Sequence, residues 1–213
     1  MATSTPAAGR RRPYAPRVSE DVRRTQLLDA ALRLVVSRGH GAATMAAIAD
    51  EAGVTKPVVY SMYANRGDLL GALLKREQEL AMAQMLSILP PGAGKDGLVD
   101  WGQSFADIFI GFLEAVRDAP DRWRCVLLDV SGMPEEFHAT RAKIRGQIIK
   151  RLTGIVDKTL KRSTATEVDA EVLTHALMAV FESSAALVVK HPRKFPPARF
   201  AGTMNAVIDS LLT

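Results

Sequence analysis

Cysteine is the scarcest functional residue in this chain. Its 213 residues contain one, Cys125, so no intrachain disulfide can form. Independence from disulfides fits a reducing compartment. Long apolar runs are missing too: no stretch reaches the eighteen or so uninterrupted apolar residues of a membrane span. The first residues show no apolar segment ahead of a small-residue cleavage site, so no secretory signal is expected. A soluble, cytoplasmic protein with no membrane partner is the expectation. Alternation with a period of two is also absent, which argues against a sheet.

Catalytic and metal-binding patterns are equally scarce. The four histidines, His40, His138, His175 and His191, show no metal-ligand spacing with Cys125 or with acids, so no metal or other cofactor is expected. The run Gly92-Ala93-Gly94-Lys95-Asp96 falls short of a phosphate loop. Leu89 stands where the leading glycine belongs, and Asp96 where Ser or Thr must hold Mg²⁺. Gly102 to Ala106 is one residue short of a nucleophile elbow and sits inside a predicted helix. Nothing here supports an enzyme.

What is present is positive charge, unevenly placed. The net charge is +5. Residues 1–66 hold ten Lys+Arg against five Asp+Glu, and residues 67–213 hold eighteen of each, so the whole surplus lies in the first third. Such an asymmetry suggests a polyanion-binding end joined to a neutral body. A basic tail without a partner is the plainer alternative.

Spacing then predicts an all-α chain of about nine helices. Residues 1–18, with Arg10, Arg11, Arg12 and Arg17 among Pro, Ala, Ser and Thr, read as a disordered basic arm. Ser19 offers an N-cap, and Leu27, Leu28, Ala31, Leu34 and Val35 recur at helical spacing up to Gly39. Thr44 caps a short second helix carrying Met45, Ile48, Ala49 and Ala52. Gly53 then allows a tight turn, and Thr55 caps a third short helix through about Tyr63. Pro57 falls in that helix's first turn, where a missing N–H is tolerated. Two short helices across a glycine turn describe a helix-turn-helix or an ordinary helical hairpin. From Gly67 onward the apolar periodicity predicts a helical body over 67–213, broken at Pro90–Gly97, Pro120, Gly132–Pro134 and Pro192.

The stretch Thr44–Leu70, TMAAIADEAGVTKPVVYSMYANRGDLL, resembles the DNA-binding segment of the TetR (tetracycline-repressor) family of bacterial regulators. Thr44, Ile48-Ala49, Ala52-Gly53-Val54, Thr55-Lys56, Tyr60, Tyr63, Arg66 and Asp68-Leu69-Leu70 carry the likeness. Pro57, where glycine is common, and Gly67, where glutamate is common, depart from it. The resemblance covers residues 20 to 75. It implies an N-terminal three-helix DNA-binding domain over 19–66 and a C-terminal ligand-binding and dimerisation domain over 67–213. It also implies DNA contacts from Thr44, Thr55, Lys56, Val58, Tyr60, Tyr63 and Arg66. The chemistry agrees: a recognition helix enters the major groove by its N-terminal end, where Thr55 and Lys56 lie. Hydroxyls and helix-end amides at Thr44 suit a phosphate.

In this family the middle helices enclose a small-molecule pocket. Polar residues set among aromatics are the best pointers to one. The expected lining is Trp101, Gln103, Phe105, Phe109, Phe112, His138, His175, Phe181 and Glu182, around a hydrophobic or amphipathic effector. The last two helices would form a homodimer, with Ala176, Ala179, Ser183 and Ala186 allowing close approach. Two heads spaced one helical turn apart would read a palindromic operator. The expectation is a repressor that its ligand releases. The rivals are an enzyme, which the failed motifs disfavour, and a helical interaction module with a basic tail.

Overall fold

The computed structural model describes residues 19–91, 101–127, 135–162 and 167–211. Among them are nine α-helices and one short 3-10 turn, with no strand. The helices are α1 (Glu20–Arg38), α2 (Met45–Glu51), α3 (Lys56–Met62), α4 (Arg66–Ile88), α5 (Trp101–Asp118), α6 (Pro120–Leu127), α7 (Glu135–Leu160), α8 (Ala170–Lys190) and α9 (Pro197–Leu211); the 3-10 turn spans His40–Ala42. The basic arm lies outside the described residues, as do residues 92–100 and 128–134.

Local chemistry explains the boundaries. The Ser19 hydroxyl accepts the Val22 amide at 3.4 Å, and Glu20 and Asp21 occupy the first turn of α1, where they favour the positive helix end. Helix α4 begins at Arg66, one residue before the expected Gly67. Asn65 caps it reciprocally: its Oδ1 accepts the Asp68 amide and its Nδ2 donates to the Asp68 carboxylate, both at 2.9 Å. Pro120 was expected only to break α5, yet it also opens α6. At a first helical position its missing N–H leaves no bond unmade.

Two apolar cores result. The head core joins α1, α2 and α3 to Leu69, Leu70, Leu73 and Leu74 of α4. The body core gathers Ala81 of α4, Phe109, Phe112, Leu113 and Val116 of α5, Trp123 of α6, and Ala185, Val188 and Val189 of α8. The head core thus continues past Gly67 into α4, which serves both halves. Helix α6 is shared as well: Trp123 packs in the body core and Cys125 in the head core.

Candidate nucleic-acid interface and internal cavity

The α2–turn–α3 unit is built on three buried anchors. Ile48 and Ala49 of α2 are 0% and 1% exposed, and Val59 of α3 is 0% exposed. Between them Gly53 takes φ +65°, a left-handed conformation that is easy only without a Cβ. That turn satisfies the end of α2: Gly53 donates to the Asp50 carbonyl at 3.1 Å and Val54 to the Ala49 carbonyl at 2.9 Å. Gln26 of α1 fixes it from behind, its Nε2 donating to the Ala52 carbonyl at 2.7 Å.

The seven expected DNA contacts divide into two groups. Thr44 caps α2, its hydroxyl accepting the Ala47 amide at 3.1 Å, and remains exposed. Thr55 occupies the N-cap position of α3, but its hydroxyl makes no capping bond; the side chain is exposed and available. Lys56 is exposed, Val58 half-buried, and Tyr60 stands out at 54% exposure. Lys56 and Tyr60 are four residues apart, so they share one exposed face of α3, while Val59 is buried in the core. Tyr63 and Arg66 depart from the expected groove-facing role. Tyr63 is 7% exposed because it follows Val59 by one helical turn and turns inward with it, under the Arg24 guanidinium 5.6 Å from its ring centre. Arg66 directs its guanidinium into the protein. Nε donates to the Ala43 carbonyl at 3.0 Å and a terminal nitrogen donates to the His40 carbonyl. It therefore ties the 3-10 turn to α4.

Below the head, α4 to α8 enclose a cavity of about 200 Å³ with an almost wholly apolar wall. Phe105 and Phe112 of α5, Trp123 of α6, Ile148 of α7 and Phe181 of α8 line it. Phe112 meets Trp123 edge-on, with ring centres 5.1 Å apart, and lies 5.1 Å from Phe181. Of the expected lining, Phe105, Phe112, Phe181 and Glu182 are in the wall. Phe109 is 1% exposed and packs behind it, 5.0 Å from Phe181. His138 and His175 point outward on exposed faces and do not line the cavity. The side chains of Trp101 and Gln103 lie outside the described residues. Sequence reasoning did not single out Gln78, Arg151 and Thr174, which are in the wall. A polar position three residues after one apolar residue and four before another on α7 (Arg151 between Ile148 and Ile155) is the signal that could have found Arg151.

Head and cavity meet at a charged knot. Glu77 of α4, 1% exposed, takes Arg76 at 2.7 Å and Arg122 of α6 at 3.2 Å. Arg76 also reaches Asp29 of α1 at 2.8 Å, and Arg122 reaches Gln84 of α4 at 3.0 Å. Next to Arg122, Trp123 forms cavity wall, and its indole N–H is buried without a hydrogen-bond partner. Two residues further, burial pushes the Cys125 thiol up to about 12, with the Glu77 charge adding to the effect. His40 is shifted down, by burial first and then by the Arg66 charge. Among the described residues no group of three or more His, Cys, Asp or Glu is placed to hold a metal ion.

Comparison with known proteins places the head. The family model for bacterial regulatory proteins of the tetR family matches residues 27–73. The HTH-type transcriptional activator FasR of Mycolicibacterium smegmatis is 48% identical over 71 residues, which is 33% of this chain and 32% of that protein. The match thus spans about a third of that relative's length. The fold extends further. A TetR-like transcriptional regulator from Rhodococcus sp. RHA1 superposes with a TM-score of 0.72 at 22% identity, over 92% of this chain and 98% of that one. The transcriptional regulator FadR from Bacillus subtilis, solved in complex with stearoyl-CoA, gives 0.66 at 14% identity over 86% and 96%. All three are named as regulators, none as an enzyme.

Proposed function

We propose, for a chain whose head belongs to the tetR family of bacterial regulatory proteins and whose described helices adopt the fold of TetR-like regulators, that it is a cytoplasmic, ligand-responsive transcriptional regulator binding operator DNA as a homodimer. The observation that carries this reading is the α3 entry. Thr55, Lys56 and Tyr60 stand exposed at a helix anchored by buried Val59 and entered through the Gly53 turn. Exposed hydroxyl and ammonium donors at a recognition helix's N-terminal end suit base edges and phosphates. The net +5 of residues 1–66, most of it from the four arginines of the arm, adds the sequence-independent attraction that brings the protein to DNA.

The homodimer reading draws on α8. That helix is apolar enough, by length and composition, to pass for a membrane span, yet only 28% of its apolar window is buried within one chain. Val172 and Val180 are 66% and 45% exposed, and Ala176, Ala179 and Ser183 lie exposed between and beside them. A second copy packing on this face removes the apolar surface from water and lets two helices approach closely across small residues.

The effector occupies the cavity. Its wall accepts a hydrophobic or amphipathic molecule, and a protein of the same fold holds stearoyl-CoA. The sign of regulation in our reading is repression relieved by ligand. The ligand favours a spacing of the heads that does not fit the operator, which requires different affinities for the two conformations. Activation is the second reading, favoured by the name of the FasR relative.

The test is to sequence DNA co-purified with the full chain and to assay the recovered sites by gel shift. A defined palindromic site retained against competitor DNA is expected. Retention that is equal for all sequences would leave only a helical module with a basic tail. Transcription from the recovered promoter, with and without the protein, reads the sign.

A further inference from the structure

The cavity wall contains four side chains of polar character: Gln78, Arg151, Thr174 and Glu182. Two of them are already engaged. The Thr174 hydroxyl donates to the Ala170 carbonyl at 2.7 Å within its own helix. Glu182 is held by Arg145 in a two-pronged ion pair, at 2.9 and 3.1 Å, that neutralises its charge. Gln78 is neutral. Arg151 differs from all three: it makes no ion pair or hydrogen bond among the described residues. It also lines the cavity while being exposed to solvent, which places it at an opening. On α7 it sits between Ile148 and Ile155, whose side chains continue the apolar wall inward.

We propose that Arg151 is the anion anchor of the effector site, and that the effector is an alkyl-chain amphiphile with a carboxylate or phosphate head. The chain enters the space walled by Ile148, Phe112 and Phe181, and the head stays at the mouth on the Arg151 guanidinium. The electrostatics favour this arrangement. With Glu182 balanced by Arg145, the described lining residues leave the positive charge of Arg151 beside a low-dielectric interior. A guanidinium fork matches either anion through two parallel N–H donors. A wholly neutral hydrophobe gains nothing from Arg151, whereas an anion whose tail is held by the wall meets a donor that no protein group occupies.

This inference rests on the reading of the cavity as the effector site, and the experiment separates the two. The full chain is titrated by calorimetry with three probes of equal chain length: dodecanoate, dodecyl phosphate and dodecan-1-ol. Wild type is expected to bind the anions more tightly than the alcohol. Arg151→Gln is expected to weaken the anions about tenfold and leave the alcohol unchanged, while Arg151→Lys retains part of the difference. The anion that loses more under Arg151→Gln identifies carboxylate or phosphate as the head. Anion affinity unaltered in Arg151→Gln overturns the anchor but leaves the cavity as effector site, as does a wild type that binds the alcohol as tightly as both anions. No binding by any of the three removes the effector reading along with it. An unchanged circular dichroism spectrum checks that the exposed position tolerates each substitution.

Discussion

Glu77 of α4 and Arg122 of α6 meet in a buried ion pair, Arg122 Nε to Glu77 Oε2 at 3.2 Å. The other carboxylate oxygen is taken by Arg76, which in turn holds Asp29 of α1. One carboxylate thus joins the helix that crosses both cores, the helix whose Trp123 walls the cavity, and the first helix of the head. A buried charge is tolerated only while its partners remain. Glu77→Gln keeps the shape but leaves the Arg122 guanidinium facing no charge and Arg76 with Asp29 alone. We expect it to lower unfolding stability by about 3 kcal/mol, read from urea denaturation of the full chain. Stability equal to wild type would show that the guanidiniums relax to water without loss.

Gly53 gives a separate test of the head. A Cβ there meets nothing within 4 Å, so the effect of a substitution comes from backbone conformation alone. At φ +65° an alanine costs about 1 kcal/mol, whereas asparagine, which tolerates the left-handed region, costs less. Thermal unfolding is expected to rank wild type above Gly53→Asn above Gly53→Ala. Operator affinity is expected to follow the same order, because the turn sets how α3 leaves α2.

Lys56 and Arg66 are both basic residues of the head, yet their substitutions are expected to act differently. Lys56→Ala removes an exposed side chain with no structural bond, so melting temperature is expected to hold while operator binding weakens by roughly 1–3 kcal/mol if Lys56 reads a base. Arg66→Ala takes the side-chain donor from the Ala43 carbonyl and leaves the His40 carbonyl only the Ala43 amide, and is expected to destabilise the head by about 1–2 kcal/mol. A gel shift paired with a melting curve separates the two. Loss of DNA binding by Arg66→Ala with no change in melting would return Arg66 to the interface.

These residues also mark what a sequence can disclose. The helices and the α2–turn–α3 unit were readable because apolar spacing, a capping threonine and one glycine are local signals. Asn65 was readable in principle, since Asp68 follows at capping distance, but the Gly67 beside it drew the boundary one residue late. Glu77 could not be read: within Lys75-Arg76-Glu77-Gln78-Glu79 it looks like any solvated charge, and the second guanidinium that compensates its burial beside Arg76 comes from Arg122, 45 residues away. Arg66 likewise looked like a phosphate contact because its carbonyl partners lie 23 and 26 residues earlier. For the cavity, aromatic periodicity located the wall, but the outward turn of His138 and His175 depends on how α7 and α8 are rotated against their neighbours.

Cys125 is expected to be chemically silent in the folded protein. Its thiol is 2% exposed and pushed up from an ordinary 9.0 to about 12 by burial, and the thiolate is the reactive form. Native protein at pH 8 should therefore leave Ellman's reagent almost uncoloured, and urea should release one equivalent. The same shift makes stability pH-dependent. The unfolded thiol ionises near 9.0 while the folded one stays protonated, so this contribution is complete below pH 9 and is lost as pH rises toward 12. Rapid labelling of native protein at pH 8 would place the thiol at the surface or reveal frequent opening of the α6–head contact.

The exposed face of α8 carries the last prediction. Ala179 lies on it between Val172 and Val180 and near Ser183, all exposed within one chain. A small side chain at such a point brings two helices close, and a charged one there must be buried without a partner when they pair. Ala179→Glu touches no described core residue, so the monomer should fold with an unchanged helical spectrum. Sedimentation is expected to show wild type at twice the 23.1 kDa chain mass and Ala179→Glu at the mass of one chain. Operator binding should then weaken and lose its dependence on half-site spacing, because one head reads half a palindrome. A variant that remains dimeric would move the interface off this face and leave the apolar, mostly unburied surface of α8 for a different partner.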